Sequence, residues 1–296
     1  LASLSLAAAP AREELELRWR GKVGDVQRHR CTSQQEYATP MGPMTTRYAM
    51  VLRQEVKALS PTGVGSLELR FEAFKLSSEG PMSMDFDSTR TGDAAQANPP
   101  DVSAQFAALA ASTVKLEIEP SGRVAKIEGL SEARDKAFGQ TRPAMAGMSG
   151  PLRGLFGDES LKRLIEVNAF PPVKLSVGAS WPRTQQLDSE MLGTLKFNSD
   201  NKLVGLELRG ETNCARIELD GGVTLEASAR SGLSFALTDS DYRGSAVVAL
   251  DSGYLLELAT KSVLDLSMGE GEGAQTMTVR TEQRIVALAL DAPAFE

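Results

Sequence analysis

Hydrophobic and polar residues alternate with a period of two through most of this sequence. Leu15, Leu17 and Trp19 alternate with Glu16, Arg18 and Arg20, and Leu67, Leu69, Phe71 and Ala73 with Glu68, Arg70 and Glu72. Ile217 and Leu219 sit between Arg216, Glu218 and Asp220, while Leu256, Leu258, Leu264, Leu266 and Met268 share one parity. Such alternation places apolar side chains on one face of a strand and polar ones on the other, as in antiparallel sheets with one dry face. It predicts strands near 14–20, 26–37, 44–59, 65–76, 82–88, 113–119 and 123–128. A second set is predicted near 173–176, 192–199, 203–210, 213–219, 223–228, 232–238, 242–250, 254–268 and 275–290. Several exceed the usual strand length, which implies strong curvature. Turns are expected where residues tolerate positive φ: Gly24-Asp25, Pro120-Ser121-Gly122, Asp220-Gly221-Gly222 and Asp251-Ser252-Gly253.

Between the two sets the pattern becomes helical. Val102, Phe106 and Leu109 fall at helical spacing in a segment 101–112 that Asp101 is placed to cap. Ser131 starts a second helix, and Asp158 precedes Leu161, Leu164 and Ile165 in a third. Met145, Met148, Leu152, Leu155 and Phe156 lie among Gly147, Gly150, Gly154 and Gly157, a composition unsuited to one long helix. Two readings stand here: a helical connection packed on the sheet, or a lid whose methionines adapt to an apolar ligand. The expected fold is mainly β (α+β), with two strongly curved antiparallel sheets or half-barrels and a helical Gly/Met-rich insert between them. The expected divisions are 12–130 (first β half), 131–169 (helical connection) and 170–296 (second β half).

The segment Leu1 to Ala11 is apolar and ends in small residues before the charged Arg12-Glu13-Glu14. It reads as the remnant of a secretory signal, 1–11, with cleavage after Ala11 and export to the periplasm or beyond. Export permits a disulfide between the only two cysteines, Cys31 and Cys214; two unbridged buried thiols are the alternative.

Composition narrows the function. With 32 basic and 39 acidic residues, a net charge of −7 argues against a nucleic-acid partner. One histidine and two cysteines leave no histidine-rich or thiolate metal site, and no cofactor motif is recognisable. No apolar run approaches a membrane span. His29, between Arg28 and Arg30, is expected on an exposed strand with its pKa lowered by those cations. Asp85 and Asp87 lie two apart and so share a face, where mutual repulsion could raise one pKa for acid–base work. Aromatic residues are only 5% of the chain, too few to line a sugar cleft readily. Asp239 and Asp241 lack the spaced ligand set of a calcium loop.

The ordered features carry a resemblance. Leu17-Arg18-Trp19-Arg20 runs into Gly24-Asp25-Val26, and a hairpin reaches Met84-Asp85-Phe86-Asp87-Ser88. Glu119-Pro120-Ser121-Gly122-Arg123-Val124 follows, then Phe170-Pro171-Pro172 to Trp181, then Tyr242-Arg243-Gly244 to Leu255. Over nearly the whole chain this resembles a family of secreted bacterial proteins of unknown function. Its layout is similar, more distantly, to curved-sheet envelope proteins of the lipoprotein-carrier type. The resemblance implies an exported β-rich fold and supplies no activity. The leading expectation is a non-enzymatic envelope protein that binds a lipid or other hydrophobic ligand in a concave sheet. The others are an interaction module with a filled core that meets an envelope protein partner, and an envelope hydrolase using Asp85 and Asp87.

Overall fold

The alternating segments fold as strands that pair mostly with their sequence neighbours. In this computed structural model, which describes residues 14–39, 42–80, 83–139, 154–166, 169–189, 192–227, 235–269 and 274–295, the first half contains β1 (Val26–Thr39), β2 (Gly42–Leu59), β3 (Gly65–Glu79), β4 (Met84–Asp87), β5 (Val114–Ile118) and β6 (Val124–Glu128). The second contains β7 (Ser180–Ser189), β8 (Gly193–Arg209), β9 (Thr212–Ala227), β10 (Phe235–Ala249), β11 (Leu255–Met268) and β12 (Gln275–Ala287). A 3-10 helix (Gly92–Ala97) and three α-helices, α1 (Pro100–Ala110), α2 (Leu130–Phe138) and α3 (Asp158–Ile165), complete the described elements. The proposed signal remnant lies outside the described residues.

All strands belong to one antiparallel sheet, in the order β6-β5-β3-β2-β1-β12-β11-β10-β9-β8-β7, with β4 on β3. The two expected curved sheets are the wings of this one sheet, joined where β1 pairs with β12. The sheet curls around α3 until both outer strands reach the same segment. Val124 N of β6 donates to Glu166 Oε1 at 2.9 Å, Phe170 N donates to Ser121 O at 2.7 Å, and Arg183 of β7 donates to Glu166 O. The edges β6 and β7 are not paired, so the curl stays open as a half-barrel.

Register explains why one face is dry. Phe74, Met50, Cys31, Ile285, Leu258, Ala246, Ile217 and Leu203 stand opposite one another in succession across eight strands. All eight are buried in one apolar cluster. A one-residue slip anywhere in this row would turn a whole strand inside out, so burial fixes the pairing.

Three expectations are corrected, and one open alternative is decided. Asp220-Gly221-Gly222 is not a turn, because β9 runs through it. A Cβ on Gly221 would stand 2.0 Å from Asn198 O, so the glycine serves a close approach of backbones. Helix α1 begins at Pro100, whose missing N–H suits the first turn, and Asp101 makes no capping hydrogen bond. Residues 14–20 and 173–176 form no strands and meet only through a bridge between Leu15 and Leu175. Finally, Cys31 and Cys214 are free buried thiols. They lie on β1 and β9 with three strands between them, and that spacing prevents the bridge.

Candidate functional site

The inner face of the curl divides into three zones along the strands. The first surrounds the row just described and is filled. Phe74 lies 5.6 Å from Phe156, 5.8 Å from Phe106 and 6.2 Å from Phe86 between ring centroids. Phe156 also meets Phe71 edge-on at 5.3 Å and Phe138 at 6.0 Å. Helices α1 and α2 and the segment before α3 therefore supply the side chains that plug this end. Leu155 packs partly buried against the same cluster. Met145, Met148 and Leu152, the other members of the lid reading, lie outside the described residues. A void of about 40 Å³ remains beside His29, Trp19 and Tyr254.

Two residues further along each strand the same face turns polar. Ser33 stands opposite Gln283, Gln283 opposite Thr260, and Thr260 opposite Gly244. In the next row Gln35 faces Thr281, Thr281 faces Ser262, and Ser262 faces Tyr242. Ser33, Thr260 and Ser262 are buried even though polar. The Trp181 indole N–H at the far end of this band is buried and reaches no partner at hydrogen-bonding geometry, while the Ser33 hydroxyl stands against that of Tyr48. Buried donors without partners are uncommon and mark places where a polar group from elsewhere would be welcome.

Two arginines stand over the band. Arg163 projects from α3 with its guanidinium carbon 3.7 Å from the Phe197 ring centroid, and Tyr242 meets that ring edge-on at 5.4 Å. The guanidinium also lies beside the Tyr48 and Tyr242 phenols, and no carboxylate faces it among the described residues. Burial pushes the Arg163 pKa down. Burial takes Arg183 down to about 10, opposed by the nearby Tyr242 phenol and Glu166 carboxylate, with the Arg163 charge the smallest contribution. Both remain cationic at neutral pH. Burial likewise pushes the Tyr48 hydroxyl up.

Beyond the band the face is apolar again. Phe197, Val223, Leu264, Leu266 and Val279 are buried here, joined by Leu192, Leu195, Phe235 and Tyr242. Tyr37, Leu187, Leu225, Leu237, Met268 and Met277 flank them half-buried. Among the described residues every member of this second cluster comes from a strand or from the turn at Leu192. No described helix adds an apolar side chain to it.

The opposite face carries a broad groove of about 1160 Å³. Its cations are matched one by one. Arg243 meets Asp241 at 2.8 Å, Lys261 meets Glu282 at 2.6 Å, Arg284 meets Glu257 at 2.8 Å, Arg47 meets Glu79 at 2.6 Å and Lys75 meets Asp87 at 3.5 Å. Paired exposed charges leave little field to recruit a ligand.

The residues singled out for chemistry do not come together. His29 is buried on the inner face, not exposed, with Nε2 donating to Leu255 O at 3.0 Å. Burial lowers its pKa, while the hydrogen bond opposes that. Asp85 pairs with Arg90. Burial raises the Asp87 pKa, but donation from the Thr89 hydroxyl and amide and from Lys75 outweighs it, and the carboxyl is held below its usual range. The two carboxylates thus have separate cations and do not share a proton. Among the described residues no group of His, Cys, Asp and Glu could hold a metal ion, and no helix is long and apolar enough to cross a membrane. Sequence reasoning missed Arg163, Arg183, Tyr48 and Tyr242. The available signal was Arg183, a charge at the inward parity of Trp181, Gln185 and Leu187, on a strand that the pattern did not reveal.

A family described as being of unknown function, DUF6263, matches residues 62–242. That span includes both arginines, Phe197 and Tyr242. No curated protein matches the sequence. Among solved structures, lipovitellin, in a structure described for its lipid–protein interactions, is similar over 93% of this chain at 11% identity and a TM-score of 0.47. This chain spans only 26% of that one. A DUF1329 family protein from Desulfovibrio piger is similar at 8% identity and a TM-score of 0.17, covering 86% of this chain and 83% of its own. A lipoprotein-sorting domain described as a putative outer-membrane protein, from Vibrio parahaemolyticus, is similar at 9% identity and a TM-score of 0.16, with the same coverage of 86% and 83%.

Proposed function

The chain belongs to DUF6263, a family of unknown function, and we propose that it is an exported, non-enzymatic binding protein that lays the apolar chain of a lipidic ligand along the second apolar zone of its curled sheet. The observation that carries this reading is the contrast in lining. The first zone is packed by helix-borne aromatics, whereas the described apolar members of the second come from strands and one turn, and α3 meets it through the polar Arg163 on Phe197. Each methylene moved from water onto such a floor contributes about 0.8 kcal/mol before the costs of association. A chain of roughly a dozen carbons is therefore enough for useful affinity. A non-enzymatic role is supported by an ionised Asp87 tied to Thr89 and Lys75, and by a lone histidine buried against a carbonyl.

Solvent extraction of freshly purified full-length protein, followed by mass spectrometry, tests this. A long-chain lipid near one per protein is expected, together with a single Nile red site that the extracted lipid displaces. Protein that yields no lipid and binds no Nile red would overturn the reading. The filled first zone favours a second one, an interaction module that works through its surface with an envelope protein partner. That reading requires complexes in pull-downs and no lipid.

A further inference from the structure

Seven large apolar side chains among the described residues stand clear in solvent: Val23, Leu59, Val173, Val177, Leu206, Leu208 and Leu290, each 40% to 65% exposed. A single exposed leucine needs no explanation. The placement of these does, because all seven lie at one end of the sheet, where β1, β7, β9 and β11 begin and β2, β8, β10 and β12 end. Val23 precedes β1, Leu59 closes β2 and Leu290 follows β12, three adjacent strands. Val173 and Val177 precede β7, and Leu206 and Leu208 lie near the end of its neighbour β8. Three strands separate the two groups, about 20 Å along the sheet. The backbone enforces the exposure. Val23 sits in a turn closed by Lys22 N donating to the Asp25 carboxylate at 2.8 Å, with Gly24 supplying a φ of 90°. Leu206 and Leu208 share a face of β8, opposite Ala215 and Asn213. Residues 14–20 cross this end, with Trp19 N donating to Pro120 O at 2.8 Å and Arg20 N to Ser252 O at 2.7 Å. They lie so close to the β10–β11 turn that a Cβ on Gly253 would stand 2.1 Å from Arg18 O.

We propose that this end of the half-barrel docks on a zwitterionic lipid bilayer, with both apolar groups entering the interface. Two features select that partner. A bilayer is flat and deformable, so it receives apolar side chains set well apart, whereas a protein partner needs a contiguous and complementary patch. The second feature is charge. In the turns of this end, residues 20–25, 57–65, 119–123, 171–179, 205–212, 250–254 and 288–292, six basic and six acidic side chains cancel, and the rest of the chain holds the whole net charge of −7. The end therefore neither recruits an anionic surface nor opposes a neutral one, and insertion of apolar area drives the binding. This surface is independent of the ligand reading, because the second zone lies at the opposite end of the same strands.

Sedimentation of the full-length protein with sucrose-loaded phosphatidylcholine vesicles tests this. The protein is expected to pellet with the vesicles, no more tightly when phosphatidylglycerol replaces half the lipid, and without release by added salt. Leu206→Ser combined with Leu208→Ser should weaken the partition by ~10-fold or more, and Val23→Ser combined with Leu290→Ser should do the same from the other group. The denaturation midpoint of each double variant verifies its fold. Nile red binding should be unchanged in both, which separates this surface from the ligand site. Protein that stays in the supernatant with phosphatidylcholine, or that binds only phosphatidylglycerol and is released by salt, overturns the proposal. So do double variants that partition as the parent does. A dimer in sedimentation velocity that the same substitutions abolish would show a second copy covering this end, and overturns it as well.

Discussion

Around Phe74 and around Leu266 the inner face of one sheet meets different surroundings. At Phe74, rings from β4, α1 and the segment before α3 close within 5.6–6.2 Å. At Leu266 the described neighbours are other strand residues, with the Phe197–Tyr242 pair the nearby aromatic contact. Both zones come from the same alternation of apolar and polar residues, so alternation alone does not decide what a dry face is for. What differs is the source of the buried apolar side chains: helices add theirs in the first zone, whereas the described members of the second come from strands and one turn. The polar band with Arg163 and Arg183 divides the two.

The largest effect that bears on this contrast is expected at the filled end. Phe74→Ala should lower unfolding free energy by about 4 kcal/mol, because its ring neighbours cannot collapse into the space. Urea denaturation would show it, and a loss under 1 kcal/mol would mean the first zone is loosely packed. A matched pair sharpens the comparison, since Leu116 in the first zone and Leu266 in the second are each only 1% exposed. Leu116→Ala should lose about 4 kcal/mol and Leu266→Ala about 2, the low end for leucine truncation. Equal losses would mean the second zone is packed like the first. Added lipid should restore stability to the parent and not to Leu266→Ala.

A smaller effect concerns pH. Burial keeps the His29 pKa below its ordinary 6.5 in the folded protein. The unfolded chain therefore binds more protons as pH falls below that value, and stability should decline there, reaching its full loss below the folded pKa. Above 6.5 His29 contributes no slope. His29→Gln should flatten the stability profile between pH 7 and pH 5, and an unchanged profile would place the slope elsewhere. The smallest effect is a null. Cys31 is buried with its thiol pushed up to about 12, and Cys214 is free as well. Reducing agent should therefore leave the melting temperature unchanged, and a fall of several degrees would reveal a bridge.

Much of the fold is legible in the sequence, and the physical limits show in particular elements. β11 is clear because one parity stays dry from Leu258 to Leu266, and β3 because its odd positions are buried from Gly65 to Ala73 before the parity shifts at Phe74. β10 reads as two strands because Asp239-Ser240-Asp241 interrupts its apolar run, whereas the chain passes this point with a register shift between Leu237 and Asp239. The junction of β1 with β12 brings Cys31 beside Ile285, and no local pattern encodes a partner so distant. The site is less legible still. Ser33, Thr260, Ser262 and Gln283 occupy inward positions yet are polar, so a rule that equates inward with apolar passes over the band they form. Arg163 looks like the solvent side of an amphipathic helix. It becomes a half-buried cation only because the sheet curls around α3.

Hydrogen–deuterium exchange of the full-length protein with and without dodecanoate tests the division of the inner face most directly. Protection is expected in peptides covering 192–197, 223–227, 235–242 and 262–268, with no change in 67–76 and 114–118. Protection spread evenly over both zones, or confined to the strands around Phe74, would contradict the account.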